Sequence, residues 1–226
     1  MVAAIVFTID ELRDYAAKVG LSLNFVIKEA FIFELIESIN EERFVLKGGT
    51  AINKGYLEGH QRFSEDLDYD TSLNKNDAKK YIKHLGWEIK KEFYTKHSIG
   101  FMMSYKFEDI RDVVRLDISF EIKNKIEKRR IVSDFIPISK IVQMYDFREL
   151  NYEKESAFEE RKEWKDIYDL YWMHELYASN FRIKNKAKFA EALSNTKVPK
   201  IANAYIPVQK RPNWNEVIET LKQTAK

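Results

Sequence analysis

The run Arg62-Phe63-Ser64-Glu65-Asp66-Leu67-Asp68-Tyr69-Asp70 constrains this chain more than any other segment. Leucine and tyrosine alternate with aspartate there, and successive side chains of a strand leave opposite faces, so Ser64, Asp66, Asp68 and Asp70 share one face. Aspartate is disfavoured in strands, and three carboxylates on one face repel. A fold that keeps this pattern needs a cation beside it, and hard oxygen donors at this spacing suit Mg²⁺. The same residues on a solvent-facing edge strand or in a loop would need none. The segment upstream favours the cation: four of the seven glycines lie between Gly48 and Gly59, and Lys47-Gly48-Gly49-Thr50 joins an apolar strand to a helix. Bare backbone at such a junction lets phosphate oxygens reach N–H groups and the positive end of the helix dipole; the alternative is a tight strand-to-helix turn. The GxxxxGK[ST] spacing of a P-loop is absent.

Thr8 and Glu11 have capping-box spacing and open a helix that ends at Gly20, and the recurrence of Phe25, Ile32, Leu35 and Ile36 predicts a second helix over 24–39. Strands are expected over 43–46, 66–70, 101–107, 114–121 and 131–136, and Asn76 is expected to cap a long helix through Lys91. Over 114–121, Val114, Leu116, Ile118 and Phe120 alternate with Arg115, Asp117, Ser119 and Glu121, which puts Asp117 on the polar face. Asp66, Asp68 and Asp117 together could hold two metal ions roughly 4 Å apart for in-line phosphoryl chemistry. From Phe147 the pattern is helical to the end, with Pro212 opening a last helix over 213–224. The plan is α+β: a half with strands and flanking helices over 1–140, then an α-helical half over 141–226.

Composition excludes several classes. The chain has no cysteine, so disulfides, thiolate metal sites and cysteine nucleophiles are out, and His60, His84, His97 and His174 are scattered without the spacing of a zinc site. No stretch approaches a membrane span and the start lacks a basic, cleavable leader, so a cytoplasmic protein is expected. From Phe181 onward ten Lys and Arg face three Glu. A basic tail of this kind suits a polyanion such as RNA, and equally a solvated lysine-rich face.

Two separated segments carry a resemblance. Lys47-Gly48-Gly49-Thr50 followed by Arg62-Phe63-Ser64-Glu65-Asp66-Leu67-Asp68 resembles the first motif of the AbiEii/AbiGii toxin family, a branch of the DNA polymerase beta-like nucleotidyltransferases. Lys154, Ala157, Arg161, Lys165-Asp166 and Tyr168-Asp169-Leu170 resemble its later motif, in the expected order. Ile27-Lys28-Glu29-Ala30 departs from the Glu-Lys-Asp of many relatives. The resemblance implies a nucleotidyltransferase-like mixed sheet with flanking helices, whose active-site cleft the helical half completes. It implies Mg²⁺, or Mn²⁺ in its place, on Asp66, Asp68 and Asp117, the last as ligand or base. It also implies an NTP bound by Lys47, Gly48, Gly49, Thr50, Arg62, Ser64 and Lys154. Asp166 would position Lys154, Arg161 or the nucleotide, which requires a helix break near 162–164, because one helix would carry Lys154 and Asp166 roughly 18 Å apart. Without the family pattern Asp166 would read as a helix cap. The acceptor implied is RNA, notably tRNA 3′ ends, in a toxin with a cognate antitoxin. A small-molecule, aminoglycoside-type transferase and a non-catalytic nucleotide-binding module are the alternatives.

Overall fold

The computed structural model describes residues 6–123 and 125–225. Helix α1, Ile9–Val19, starts at the Thr8–Glu11 capping box and stops where Gly20 turns left-handed at φ 69°. Helix α2, Leu23–Ile39, buries apolar residues all round its circumference, including Val26, Ile27, Phe31, Phe33, Leu35 and Ile36, as befits a helix enclosed by the core. Strand β1, Phe44–Lys47, runs straight into helix α3, Gly48–Tyr56, and then β2, Asp66–Thr71, pairs back antiparallel on β1.

Two expectations are corrected in the next stretch. Asn74, not Asn76, caps helix α4, Lys75–His84, and the helix ends there instead of continuing to Lys91. Gly86 adopts φ 79°, and Glu88–Tyr94 extends as β3. From Glu88 the chain takes its conformation from pairing with the neighbouring strand β4, Ser98–Phe107, which overrides the helical pattern expected to continue to Lys91. Strand β5, Ile110–Ser119, follows in a hairpin. The strand expected over 131–136 lies instead at Ile126–Val132, β6, and a further strand, β7, Ser139–Tyr145, pairs with it. The sheet therefore extends across residue 140 to Tyr145.

Among the described residues seven strands form one sheet, ordered β3-β4-β5-β2-β1-β7-β6, with β2 parallel to β5 and β1 parallel to β7, a mixed sheet. On one face of the central pair, Leu67 lies beside Leu116 and Tyr69 beside Ile118, all buried. On the other, Asp66 lies beside Arg115, Asp68 beside Asp117 and Asp70 beside Ser119. The alternation thus separates an oily face from a carboxylate face on the innermost strands.

From Phe147 the chain is helical. Helix α5, Phe147–Arg161, ends at Lys162 in the left-handed region (φ 54°), and α6, Trp164–Tyr177, starts two residues later. This is the break the sequence called for. Helices α7, Lys186–Asn195, and α8, Trp214–Thr224, with two short 3-10 turns between them, cover α5 and α6. The basic segment from Phe181 onward is a packed layer, with Phe181, Phe189, Leu193, Val217 and Leu221 buried. Trp164, Tyr168 and Trp172 pack against Tyr205 and Trp214 of this layer, so these aromatics join helices.

Glu29, at the departure from the family pattern, is fully buried with its carboxylate 2.5 Å from the ammonium of Lys54 in α3. Burial holds Lys54 below the usual ammonium range, with Glu29 opposing. Ser133 donates to Glu29 at 2.6 Å, so the pair ties α2 and α3 to the turn after β6. Lys28, mostly covered, pairs with Asp112 of β5 at 2.8 Å.

Candidate active site

The site forms where β1 ends. Gly48 adopts φ 71°, and a side-chain carbon there would lie 2.4 Å from Oδ2 of Asp68. Only glycine allows this turn and this approach. At Gly49 the corresponding carbon would meet Arg62 Nη2 at 3.1 Å, Ser64 Oγ at 3.2 Å and Lys154 Nζ at 3.9 Å. Thr50 is buried; its hydroxyl donates to the carbonyl of Asp66 at 2.6 Å and lies 3.1 Å from Ser64 Oγ, latching the turn to the start of β2. Gly48→Ala is expected to remove nucleotide transfer and to lower the melting temperature, because it combines left-handed strain of about 1 kcal/mol or more with displacement of Asp68. Activity assay and thermal melts of this variant beside Gly59→Ala, at a turn with open space, check it.

The carboxylates are unequal. Asp66 is exposed and Asp68 partly so. Burial, followed by the charges of Asp117 and Asp66, pushes the Asp68 carboxyl up to about 6. Although the residue as a whole is open to solvent, the protein packed around its carboxyl partly desolvates it and, with the charge of Glu65, raises Asp66 too. Asp70, the third aspartate of the strand, is neutralised within the protein: Lys47 Nζ lies 2.5 Å away and the Tyr145 hydroxyl donates to it at 2.7 Å. It is 1% exposed, so the repulsive set is Asp66, Asp68 and Asp117. Lys47 reaches Ser119 at 3.5 Å on the same face. Asp117 accepts from Arg115 Nε at 2.6 Å, and Arg115 lies over the Phe93 ring at 4.8 Å. Gly100 makes room for both, since a side-chain carbon there would touch Phe93 and Asp117.

Opposite the carboxylates stands a buried ion network. Asp169 accepts from Arg62 Nε at 2.9 Å and Nη2 at 2.6 Å, from Asn53 Nδ2 at 3.0 Å, and lies 2.9 Å from Lys154 Nζ. Lys154 also donates to Asp166 at 3.1 Å, and Arg161 grips Asp166 at 2.6 and 2.7 Å. Burial works against ionising Asp166, but Arg161 and Lys154 outweigh it and hold the carboxyl below its ordinary value. The two cations and two carboxylates fix the Lys154 ammonium at the glycine turn.

The donor set fits a hard divalent ion. Burial and the neighbouring carboxylates raise both Asp68 and Asp66, and a cation beside them would offset that cost. Among the described residues no three acidic or imidazole groups converge into a closed cage. Mg²⁺ is characteristically bound by one or two carboxylates together with substrate phosphates, and Asp66 and Asp68 are the residues that could supply that part.

The family model for "Nucleotidyl transferase AbiEii toxin, Type IV TA system" matches residues 30–225. The chain belongs to the AbiEii nucleotidyltransferase toxin family. Solved structures with the same fold include JHP933 from Helicobacter pylori, 20% identical with a TM-score of 0.66 over 91% of each chain. A putative nucleotidyltransferase from H. pylori is 18% identical with a TM-score of 0.63, over 91% of this chain and 94% of that one. The nucleotidyltransferase toxin MenT4 from Mycobacterium tuberculosis H37Rv is 12% identical with a TM-score of 0.62, over 97% and 88%. At these identities the likeness concerns the fold. No curated protein matches the chain in sequence. Among the described residues no helix is long and apolar enough to cross a membrane.

In this AbiEii-family enzyme the turn brings together Gly48, Gly49, Ser64, Arg62, Asp68 and Lys154, all singled out from sequence. Asn53, Asp169 and Arg115 were not among the expected site residues. Asp169 had a signal, since it stands in Tyr168-Asp169-Leu170 of the later motif; Asn53 had none.

Proposed function

We propose that this nucleotidyltransferase moves a nucleotide from an NTP onto an RNA hydroxyl, the 3′ end of a tRNA, with Mg²⁺ or Mn²⁺ on Asp66 and Asp68 and with Asp117 as third ligand or base. The observation that carries this reading is the contrast between two consecutive glycines: the bare face of Gly48 abuts Asp68, and that of Gly49 abuts Arg62, Ser64 and Lys154. A triphosphate laid across the turn meets a carboxylate pole on one side and a cationic pole on the other. Bound Mg²⁺ supplies charge neutralisation to the triphosphate and the departing pyrophosphate. The rest falls to the chain. Lys154 holds phosphate, Asp166 and Asp169 hold Lys154, and Ser64 with the N–H groups of the turn orients the anion. The acceptor oxygen forms a bond to the α-phosphorus as the bond to the bridging β-oxygen breaks, and pyrophosphate leaves. Asp117, freed from Arg115, takes the hydroxyl proton in its role as base. The helices from Phe147 onward complete the cleft by carrying Lys154 and Asp166 to the sheet-bearing half, and the basic layer from 181 offers the charge that RNA needs.

Incubating the protein with each labelled NTP and total RNA tests this. Labelled RNA with Mg²⁺ and none in EDTA is expected; label only on small acceptors would remove RNA as substrate. Lys154→Ala is expected to cut transfer by about 10²–10³-fold with a smaller loss of metal binding, because its partner is the triphosphate. Stability should fall little, since Arg161 still serves Asp166 and Arg62 still serves Asp169. Calorimetry and pyrophosphate release separate the two effects. As the toxin of a toxin–antitoxin pair, the parent should harm a cell that lacks its antitoxin, and Asp68→Asn should not.

A further inference from the structure

One buried amide ties the glycine turn to the ion network opposite the carboxylates. Asn53 stands one helical turn after Gly49 in α3 and is wholly buried. Its Nδ2 donates to the Gly49 carbonyl at 2.9 Å and to Asp169 Oδ1 at 3.0 Å, and its Oδ1 accepts the backbone N–H of Arg62 at 2.9 Å. Three segments of the chain, the turn, the approach to β2 and helix α6, thus meet on one side chain.

The three partners select an amide. The Gly49 carbonyl and the Asp169 carboxylate each need a hydrogen and the Arg62 N–H needs an acceptor, which a carboxamide supplies from one rigid plane. Aspartate has the shape without the hydrogens and would set oxygen against oxygen at both Gly49 and Asp169. Asp169 Oδ1 is held by Asn53 and Arg62 Nε, which leaves Oδ2 for Arg62 Nη2 and the Lys154 ammonium. The place of that ammonium relative to the turn therefore follows a short path from the Gly49 carbonyl through the Asn53 amide and the Asp169 carboxylate. Asn53 and Asp169 are fully buried and Lys154 is 4% exposed, so bulk water does not replace a lost link.

We propose that Asn53 is a positioning residue for nucleotide transfer, setting through Asp169 the distance between the glycine turn and the Lys154 ammonium, a role that rests on Lys154 acting as the phosphate-holding cation. A misplacement of about 1 Å at such a group can cost about 10²-fold in rate.

Steady-state pyrophosphate release by the full chain with Mg²⁺, the NTP that supports it best and total RNA, below the melting temperature of every variant, tests the assignment. Asn53→Ala is expected to lower kcat by about 10- to 100-fold and to change KM for the NTP by about threefold or less, because the cations that meet the phosphates remain while Lys154 is displaced. In a Lys154→Ala background the same substitution should cost less than about twofold, since the group it positions is gone. Asn151→Ala supplies the contrast: Asn151 is 1% exposed, its Nδ2 donates to the Arg182 carbonyl at 2.8 Å and its Oδ1 accepts the Arg182 N–H at 3.1 Å. It should lower the melting temperature as Asn53→Ala does and leave kcat within about twofold. Should Asn53→Ala fail to fold, Asn53→Ser decides: its hydroxyl still reaches the carbonyl four residues back but not Asp169, and its kcat should fall about tenfold or more. Parental kcat in the Asn53 variants, an equal loss of kcat in Asn151→Ala, or an undiminished further loss in the Lys154→Ala background would each overturn the role of Asn53 alone. Parental transfer in Lys154→Ala would remove the phosphate-holding role of Lys154 and the positioning role with it.

Discussion

Asp68→Asn is expected to lower nucleotide transfer by about 10³-fold or more while leaving the metal-free protein at least as stable as the parent. The substitution keeps the side-chain volume and removes a charge that the fold does not neutralise. Folded Asp68 keeps its proton up to about pH 6, whereas an unfolded aspartate releases it near 3.8. Its contribution to stability is therefore full below pH 3.8 and is lost as pH rises through about 6. Asparagine suffers no such loss, so the advantage of the variant in EDTA grows across that window and persists above it. Because Asp68 is partly open to solvent, the gain is on the order of 1 kcal/mol. With Mg²⁺ the sign reverses, since the ion competes with the proton, and metal-supported NTP binding should weaken as pH drops below about 6. Asp66→Asn should behave alike with a smaller gain. Melts in EDTA at pH 5 and pH 8, with pyrophosphate release in Mg²⁺, give the answer. A variant that keeps transferring, or melts well below the parent in EDTA at pH 8, would make Asp68 structural.

Asp169→Ala should do the opposite to the fold. It deletes the acceptor of Arg62, Asn53 and Lys154 and leaves the Arg62 guanidinium buried without a counter-ion. Removing one partner of such a buried pair costs about 3–5 kcal/mol. For a chain of this length that corresponds to a fall of about 10 °C in melting temperature. Arg62→Met combined with Asp169→Leu should recover part of the loss, because neither a lone charge nor a cavity remains. Activity should be absent in both variants, as Lys154 loses one of its two holders. A melting temperature within a degree or two of the parent for Asp169→Ala would refute the network's role.

The contrast between these aspartates separates what is local from what is assembled. Alternation in 62–70 places Asp66, Asp68 and Asp70 on one face wherever that segment is extended, and the expected strand formed. The fate of each carboxylate was not local. Asp70 became a buried, neutralised group because the Lys47 side chain, whose backbone pairs with Asp68, reaches diagonally across to it and β7 brings Tyr145. Asp68 has the same neighbours in sequence terms and retains its charge problem, because Asp117 lies opposite it on β5. The helix expected to run to Lys91 fails for a related reason: its amphipathic pattern is real, but β4 offers ladder hydrogen bonds that a helix there would forfeit.

The sequence by itself determined the glycine turn and the carboxylate strand, because each depends on neighbours within a few residues, whereas the helix break near Lys162 was legible only through the family motif. Gly48 must bend where a side chain cannot, and Lys162 lets α6 fold back so that Asp166 reaches Lys154. Only the tertiary structure decided that Asn53 and Asp169, 116 residues apart, meet around Arg62. Such pairings follow from how helices dock on the sheet, and their electrostatics depend on distance and burial, quantities that residue order does not carry.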